Sequence, residues 1–440
     1  MSFALADLDL CFEGVIPSII ATTAADGSPN IAYLSQVVRV DERHVAISNQ
    51  FFAKTSANIR ANPHASLLLV DGVSGQQFQL QVLWTRSLDR GEVFERMARD
   101  LAASSAQVGM DHVMKLRGVD VFEVRHIQRC PGPEIPPQAV RPAALGMTEL
   151  ADILCEVASQ SRIEDIVDVV LRSACAIGGT SHALLAISEP SRSALITAGS
   201  CGYEEPGTGS ELPLAGGLIA EACAARRPLK INDVSRLQRL TGAVASQLED
   251  EARTIPVPSL RGVMSQIAAP LVVGDRVIGV LFVESERRLA FDAPRTAAMW
   301  ALASQAAAMV AFVEAERSHG GGAVESRVSQ PAGPEIRITS HGFDDSVFIN
   351  DEYVIKGLAG RLLVYLVERA SQEGRADFTN REIRLNPALR LPEFKDNLET
   401  RLLLLQRRLD ERNLPVRLRR SERGRMRLEL QGRARVTRLP

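Results

Sequence analysis

Apolar and polar positions along the chain change period several times, and the changes sort it into three stretches. In the first, Pro17-Ser-Ile-Ile-Ala-Thr-Thr23 is a β-branched run, and Asp26-Gly27 offers the positive-φ residue of a tight turn. Residues 30–40 answer as the returning strand. Residues 45–48 and 65–70 read as further strands, separated by a helix-compatible stretch that Pro63 ends. Over residues 91–106, Val93, Phe94, Met97 and Leu101 recur at helical spacing. Strands joined in hairpins, with helices at the periphery, predict a small closed barrel.

In the second stretch, residues 147–177 read as two helices, and Leu150, Ile153, Leu154 and Val157 form the apolar stripe of the first. Residues 182–188 and 193–201 follow as strands, residues 216–226 as a helix and residues 229–233 as a short strand. Residues 266–271 and 276–284 make a hairpin across Gly274-Asp275, and residues 294–314 an alanine-rich helix opened by Asp292. In the third stretch, residues 347–355 are a hairpin with an Asn350-Asp351 turn, and residues 360–370 an apolar-periodic helix. Asn380 caps a short helix through Leu385. Asp396 opens a long one over residues 397–412, with Leu398, Leu402, Leu405 and Leu409 on one buried stripe. Residues 416–419 and 425–430 close the chain as two strands.

Proline marks one boundary, over residues 130–142, and glycine with proline the other, over residues 318–334. They divide the 440 residues into segments 1–130, 143–317 and 335–440, each of ordinary domain size. An apolar share of 45% with 24% charged residues is enough to build cores in all three. No run reaches the roughly 18–20 apolar residues of a bilayer span, and the N-terminus lacks a basic leader, so the expected location is cytoplasmic with no membrane partner. The six cysteines are widely spaced without a metal-ligand pattern, which predicts no metal site and reduced thiols. Most read as small buried hydrophobes, with Cys201 or Cys223 the candidates for a redox-sensing thiol. Net charge is −2, yet from Arg401 onward thirteen arginines face four acids. Such a basic end points to a polyanion, nucleic acid first, against the plainer reading of a solvated arginine-rich surface.

The front segment resembles the pyridoxamine-phosphate-oxidase-like split barrel. The likeness lies in Ala21-Thr-Thr-Ala-Ala-Asp-Gly-Ser-Pro-Asn30, Ser48-Asn-Gln-Phe-Phe-Ala-Lys-Thr55 and Asn58-Ile-Arg-Ala-Asn-Pro63. The resemblance implies a dimer with FMN at the subunit interface, and Ser48, Asn49, Lys54 and Thr55 as the phosphate cradle. A phosphate of about two charges calls for such cations and donors. Where enzymatic members carry arginines and a lysine, this chain has Ala53, Tyr33 and Val38, with Arg39 close by. Three readings stay open: a flavin site, an empty scaffold or dimeriser, and an active oxidoreductase, and no catalytic residue is assigned.

The middle segment resembles the GAF fold, on Ala269-Pro-Leu-Val-Val-Gly-Asp-Arg-Val-Ile-Gly-Val-Leu-Phe-Val-Glu-Ser285 and Leu229-Lys-Ile-Asn-Asp233. That implies a six-stranded sensor module for an unknown small-molecule effector, or a ligand-free dimer module, pairing through its terminal helices. The tail resembles the winged-helix effector domain of response regulators, on residues 397–410 and the wing Arg420-Ser-Glu-Arg-Gly-Arg-Met-Arg427. By that resemblance Asn397, Thr400, Arg401 and Arg408 face the DNA major groove, and Arg407, Arg412, Arg423, Arg425 and Arg427 lie near phosphates. Leu403 and Leu404 stand where polar residues are usual, and as exposed leucines they would touch thymine methyls or a protein partner.

The fold class expected is thus multidomain α+β: a split β-barrel, a GAF α/β sandwich and a winged helix. The function expected is a dimeric, ligand- or redox-responsive transcriptional regulator whose front modules control a DNA-binding tail. The alternative is an FMN-dependent oxidoreductase with regulatory appendages.

Overall fold

A computed structural model describes residues 3–34, 36–49, 53–106, 116–132, 145–189, 194–214, 216–234, 257–317, 333–389, 398–422 and 425–439. Most of both expected linkers, together with Asp396, Asn397 and Arg423, lies outside the described residues.

Seven antiparallel strands build the first sheet: β1 (Ser18–Thr23), β2 (Pro29–Leu34), β3 (Val37–Arg39), β4 (His44–Asn49), β5 (His64–Val70), β6 (Gln77–Leu88) and β7 (Gly118–Arg129). Between them lie helices α1 (Ala53–Ala61) and α2 (Glu92–Ala106). The strand order is β2-β1-β5-β6-β7-β4-β3. The predicted continuous strand over residues 30–40 is therefore two strands on opposite edges of one sheet. A chain that passes from one edge to the other across so short a link forces the sheet to curl into a half-barrel. Inside the curl, Ile20, Leu67, Leu69, Leu80, Val82 and Phe122 are buried. Each such side chain contributes about 1.5–3 kcal/mol on leaving water.

The second sheet has six antiparallel strands: β8 (His182–Glu189), β9 (Ala194–Cys201), β10 (Glu211–Pro213), β11 (Leu229–Ile231), β12 (Ser265–Val273) and β13 (Arg276–Ser285), ordered β10-β9-β8-β13-β12-β11. Helices α3 (Met147–Ala158), α4 (Ile163–Gly178) and α6 (Ala293–Arg317) bury Val157, Ile166, Val170, Met299, Leu302 and Ala306 in one core against one face. On the other face α5 (Gly217–Ala225) packs beside α2 of the half-barrel, whose Ala103 joins that core. Glu13 fastens the same junction, accepting from Lys230 Nζ (2.8 Å) and Asn232 Nδ2 (2.7 Å).

Helix α6 corrects the expectation that no segment is apolar and long enough for a bilayer, because residues Ala293–Glu316 meet that test by length and composition. Its Met299, Leu302, Ala303, Ala306, Ala307, Val310 and Val313 are apolar because they line the core.

The tail opens with β14 (Glu335–His341), β15 (Val347–Ile349) and β16 (Glu352–Ile355). The turn between the last two has φ of 50° at Asn350 and 69° at Asp351, the mirror-image geometry that Asn and Asp tolerate. Then come α7 (Leu358–Glu373), β17 (Asp377–Thr379), α8 (Asn380–Leu385), α9 (Leu398–Glu411), β18 (Val416–Glu422), β19 (Arg425–Leu430) and β20 (Arg433–Leu439). β20 runs parallel to β14, and β17 pairs with β19. The cap of α8 is Thr379, whose Oγ1 accepts from Glu382 N at 3.2 Å. Asn380, expected to cap, is instead buried and donates to Glu399.

Candidate functional site: the tail helix held by the middle module

Helix α9 carries two apolar faces, and each has a different destination. Leu398, Leu402, Leu404, Leu405 and Leu409 enter the tail's own core. Leu403 enters the core of the middle module, and Ile196 of β9 reciprocates by joining the tail core. The leucines expected to be exposed are therefore both buried: Leu404 serves the fold of the tail and Leu403 its docking.

The polar residues of α9 meet acids of the middle module. Glu314, in the last turn of α6, accepts from Thr400 N (3.0 Å), Thr400 Oγ1 (2.9 Å) and Glu399 N (3.4 Å). A carboxylate from one module thus satisfies open amide donors at the first turn of another module's helix, where the helix dipole favours negative charge. Arg384 lies 3.4 Å away. Burial dominates all the same, and pushes the Glu314 carboxyl up to about 7 despite the Thr400 hydrogen bonds; Glu399 pushes the same way and Arg384 the opposite way. Arg401, 4% exposed, pairs with Glu189 at the end of β8, 5% exposed. Arg407 meets Asp168 of α4 at 2.6 Å and the carbonyls of Ala198 and Glu164 at 3.4 Å. Arg420 on β18 reaches Glu164 and Glu399, both at 2.5 Å, and Lys356 reaches Glu211 at 2.9 Å. Arg408 turns the other way, into the tail, donating to Val354 O at 2.9 Å; burial lowers its pKa.

Of the residues assigned to DNA, Thr400, Arg401 and Arg408 are therefore enclosed by protein in this arrangement, and Arg407 is occupied by Asp168. Arg412 (3.5 Å from Glu352) and Arg427 (2.8 Å from Asp377) keep their guanidinium groups at the surface, and Arg425 is half-buried. Asn397 and Arg423 fall outside the described residues. The acidic partners Glu164, Asp168, Glu189 and Glu314 went unnoticed in the sequence. Their one signal is that they punctuate otherwise apolar helices and strands.

In the half-barrel the four residues assigned to a flavin phosphate lie along the end of β4 and the start of α1, and the amide of Asn49 donates within the protein. Ser48 and Thr55 are buried, and Thr55 Oγ1 accepts from Asn30 Nδ2 at 3.1 Å. Asn49 Nδ2 donates to Ser56 Oγ (2.7 Å) and to the buried carboxylate of Asp120 (3.0 Å). Only Lys54 of the four is exposed. Lys54 is the one cation among these four, and the buried carboxylate of Asp120 lies beside Asn49, so the four alone do not supply the charge that a phosphate dianion calls for; residues 50–52, between them, lie outside the described residues. A groove of about 340 Å³ between Phe3–Leu5 and β7, lined by Arg43, Arg125 and His126, opens at the other end of β4.

Comparison with known proteins covers two of the three segments. Residues 11–126 match the family model for pyridoxamine 5'-phosphate oxidase, and residues 160–311 match that for the GAF domain. Among solved structures, an FMN-binding protein from Syntrophomonas wolfei subsp. wolfei is 17% identical, covering 30% of this chain and 93% of that one, with a TM-score of 0.25. The GAF domain of an Acinetobacter phosphoenolpyruvate-protein phosphotransferase is 16% identical over 39% of this chain and 94% of that one, TM-score 0.32. A free methionine-R-sulfoxide reductase from Neisseria meningitidis, solved with its substrate, is 20% identical over 36% and 84%, TM-score 0.28. No curated protein matches. The chain therefore carries a pyridoxamine 5'-phosphate oxidase-like split barrel in residues 11–126 and a GAF domain in residues 160–311.

Proposed function

We propose that the chain is a signal-responsive regulator in which the GAF domain holds, and on a signal releases, a winged-helix tail that binds DNA. One observation carries the reading: two cations of α9, Arg401 and Arg407, are met by carboxylates of another domain, Glu189 and Asp168, where a nucleic-acid phosphate would otherwise sit. Glu164 and Glu314 add to the hold through Arg420 of β18 and the first-turn donors of α9. The element order of the tail supports the winged helix: an N-terminal sheet, a helix, a strand, a short and a long helix, then a β-hairpin. On the hairpin side Arg427 keeps its guanidinium at the surface, paired with Asp377 of the same domain, which a phosphate would have to displace.

A held tail is a population statement. If the closed form outweighs the open form about a hundredfold, the apparent DNA affinity falls about a hundredfold, and a ligand that favours the open form restores it. The signal enters through the GAF domain as a small-molecule effector or a redox change. The dimer that brings two tails together forms on exposed apolar residues of α6, Trp300 (45% exposed) and Phe312 (54%), and of β2, Ile31 and Tyr33. In this reading the split barrel serves assembly. An FMN-dependent oxidoreductase fares less well, since the Asn49 amide donates to the buried carboxylate of Asp120. A flavin-free visible spectrum of the purified protein is expected, and one FMN bound per chain would restore the oxidoreductase reading.

The test compares wild type with the D168N/E189Q variant, which keeps every arginine and weakens the hold. In a gel-shift assay on genomic DNA fragments at low salt, the variant is expected to bind up to about a hundredfold tighter, with affinity falling steeply as salt is raised. Absence of binding by both proteins at low salt would sink the DNA reading.

A further inference from the structure

Cys175 and Cys201 are 26 positions apart in sequence, yet their sulfurs lie 3.0 Å apart. Cys175 is on the last turn of α4 and Cys201 is the final residue of β9, both half-buried at the rim of the GAF core. The separation is about 1 Å longer than a disulfide bond. The two thiols are also unlike. The contact between the two sulfurs and the Ala183 N–H lower the pKa of Cys201 against its burial, whereas the same contact together with burial raises that of Cys175; Cys201 Sγ also faces the Leu171 carbonyl at 4.0 Å. Cys11 and Cys223 are buried alone, and burial pushes their thiols up to about 12 and about 11. Around the pair stand Tyr203, whose hydroxyl donates to Glu284 at 2.9 Å, His182 against the Tyr203 ring, and Arg287 on the carbonyls of Gly178 and Gly179.

We propose that Cys175 and Cys201 are a redox-active dithiol, closed to a disulfide by a hydroperoxide, with Cys201 attacking and Cys175 resolving. The Cys201 thiolate attacks the terminal oxygen of the hydroperoxide. The O–O bond breaks, and the alkoxide leaves and takes a proton as alcohol (water, for hydrogen peroxide). Cys201 is now a sulfenic acid. The Cys175 sulfur attacks it, the S–O bond breaks, and hydroxide leaves with the Cys175 proton as water. Two electrons have passed from the sulfurs to the O–O bond. A dithiol reductant reverses the change by thiol–disulfide exchange.

The position gives the reaction an audience. Glu164, Asp168, Leu171 and Cys175 follow one face of α4 at spacings of four, three and four, and the first two hold Arg420 and Arg407. On β9, Cys201 follows Ala198, whose carbonyl accepts from Arg407, and Gly199, against which the Arg407 guanidinium packs. The disulfide ties together the two elements that grip the tail helix. Its chemistry stands on the cysteines alone, and only its effect on the tail rests on the regulator reading.

Full-length protein, reduced and freed of reductant, would be treated with hydrogen peroxide, alkylated and digested without reduction. A peptide linking Cys175 to Cys201 is expected, lost on adding dithiothreitol, with Cys11 and Cys223 recovered alkylated. The C175S variant should accumulate Cys201 as a sulfenic acid that dimedone traps. In C201S, Cys175 should stay a thiol. Recovery of both cysteines as thiols under peroxide that oxidises the exposed Cys155, or no dimedone adduct on Cys201 in C175S, would overturn the proposal. Neither readout involves DNA, so a failure here is distinct from a failure of the tail to bind it.

Discussion

Raising the pH from about 5 to about 8 is expected to loosen the tail's hold on the GAF domain, through the single carboxyl of Glu314. Docked, this group is buried between α6 and α9 and its pKa stands at about 7 against an ordinary 4.5. Once the tail leaves, Glu314 lies at a helix end open to water and returns to the ordinary range. Below about 4.5 both states hold the proton and the docked form keeps its full stability. Between 4.5 and about 7 the released form loses the proton while the docked form retains it, so docking weakens with rising pH. Above about 7 the loss is complete. At about 1.4 kcal/mol for each pH unit, the span amounts to at most about 3.5 kcal/mol. The measurement is urea unfolding at pH values of about 5, 6, 7 and 8. Of the two tryptophans, Trp84 is replaced by W84F so that Trp300, on α6, reports alone. The unfolding midpoint should fall across this range in the parent and stay flat in E314Q, which keeps an oxygen acceptor for Thr400 but does not titrate. A midpoint that rises with pH, or an equal slope in E314Q, would refute the reasoning.

Three further outcomes are expected. R401A removes the counter-charge of the buried Glu189 and should cost about 3–5 kcal/mol in unfolding experiments, with part of the loss restored in R401A/E189A; strict additivity of the two single changes would contradict a buried pair. W300E/F312E should convert a dimer to a monomer by light scattering with little change in Tm, and a wild type already monomeric would remove the α6 face from consideration. G360A places a Cβ against the Asp345 carbonyl, and overpacking there should lower tail stability by about 1–3 kcal/mol in thermal unfolding; an unchanged Tm would show that α7 can shift.

The local pattern of the sequence is strong enough to announce most elements. The Gly274-Asp275 hairpin, the Asn350-Asp351 turn and the leucine stripe of α9 appear where turn chemistry and periodicity put them, because each depends on neighbours within a few residues. β6 and β7 were missed, although residues 77–82 alternate Gln, Phe, Gln, Leu, Gln, Val. The four residues proposed for a flavin phosphate were legible as a motif. Their hydrogen bonds to Asn30, Ser56 and Asp120 were not, because those partners come from three separate elements.

By itself the sequence determined the periodicities, the turns, the likeness of two segments to the split barrel and the GAF domain, and the concentration of arginine at the C-terminal end. Periodicity tells which side of a helix is apolar, but not how many partners share it. Only the tertiary structure decided that α9 has two buried faces, that Leu403 belongs to another domain's core, and that Glu189, Asp168 and Glu314 meet its polar side. It alone brought Cys175 to Cys201. These contacts join residues tens to hundreds of positions apart. Such pairings depend on how finished surfaces fit together, and the spacing of residues along the chain carries no record of them.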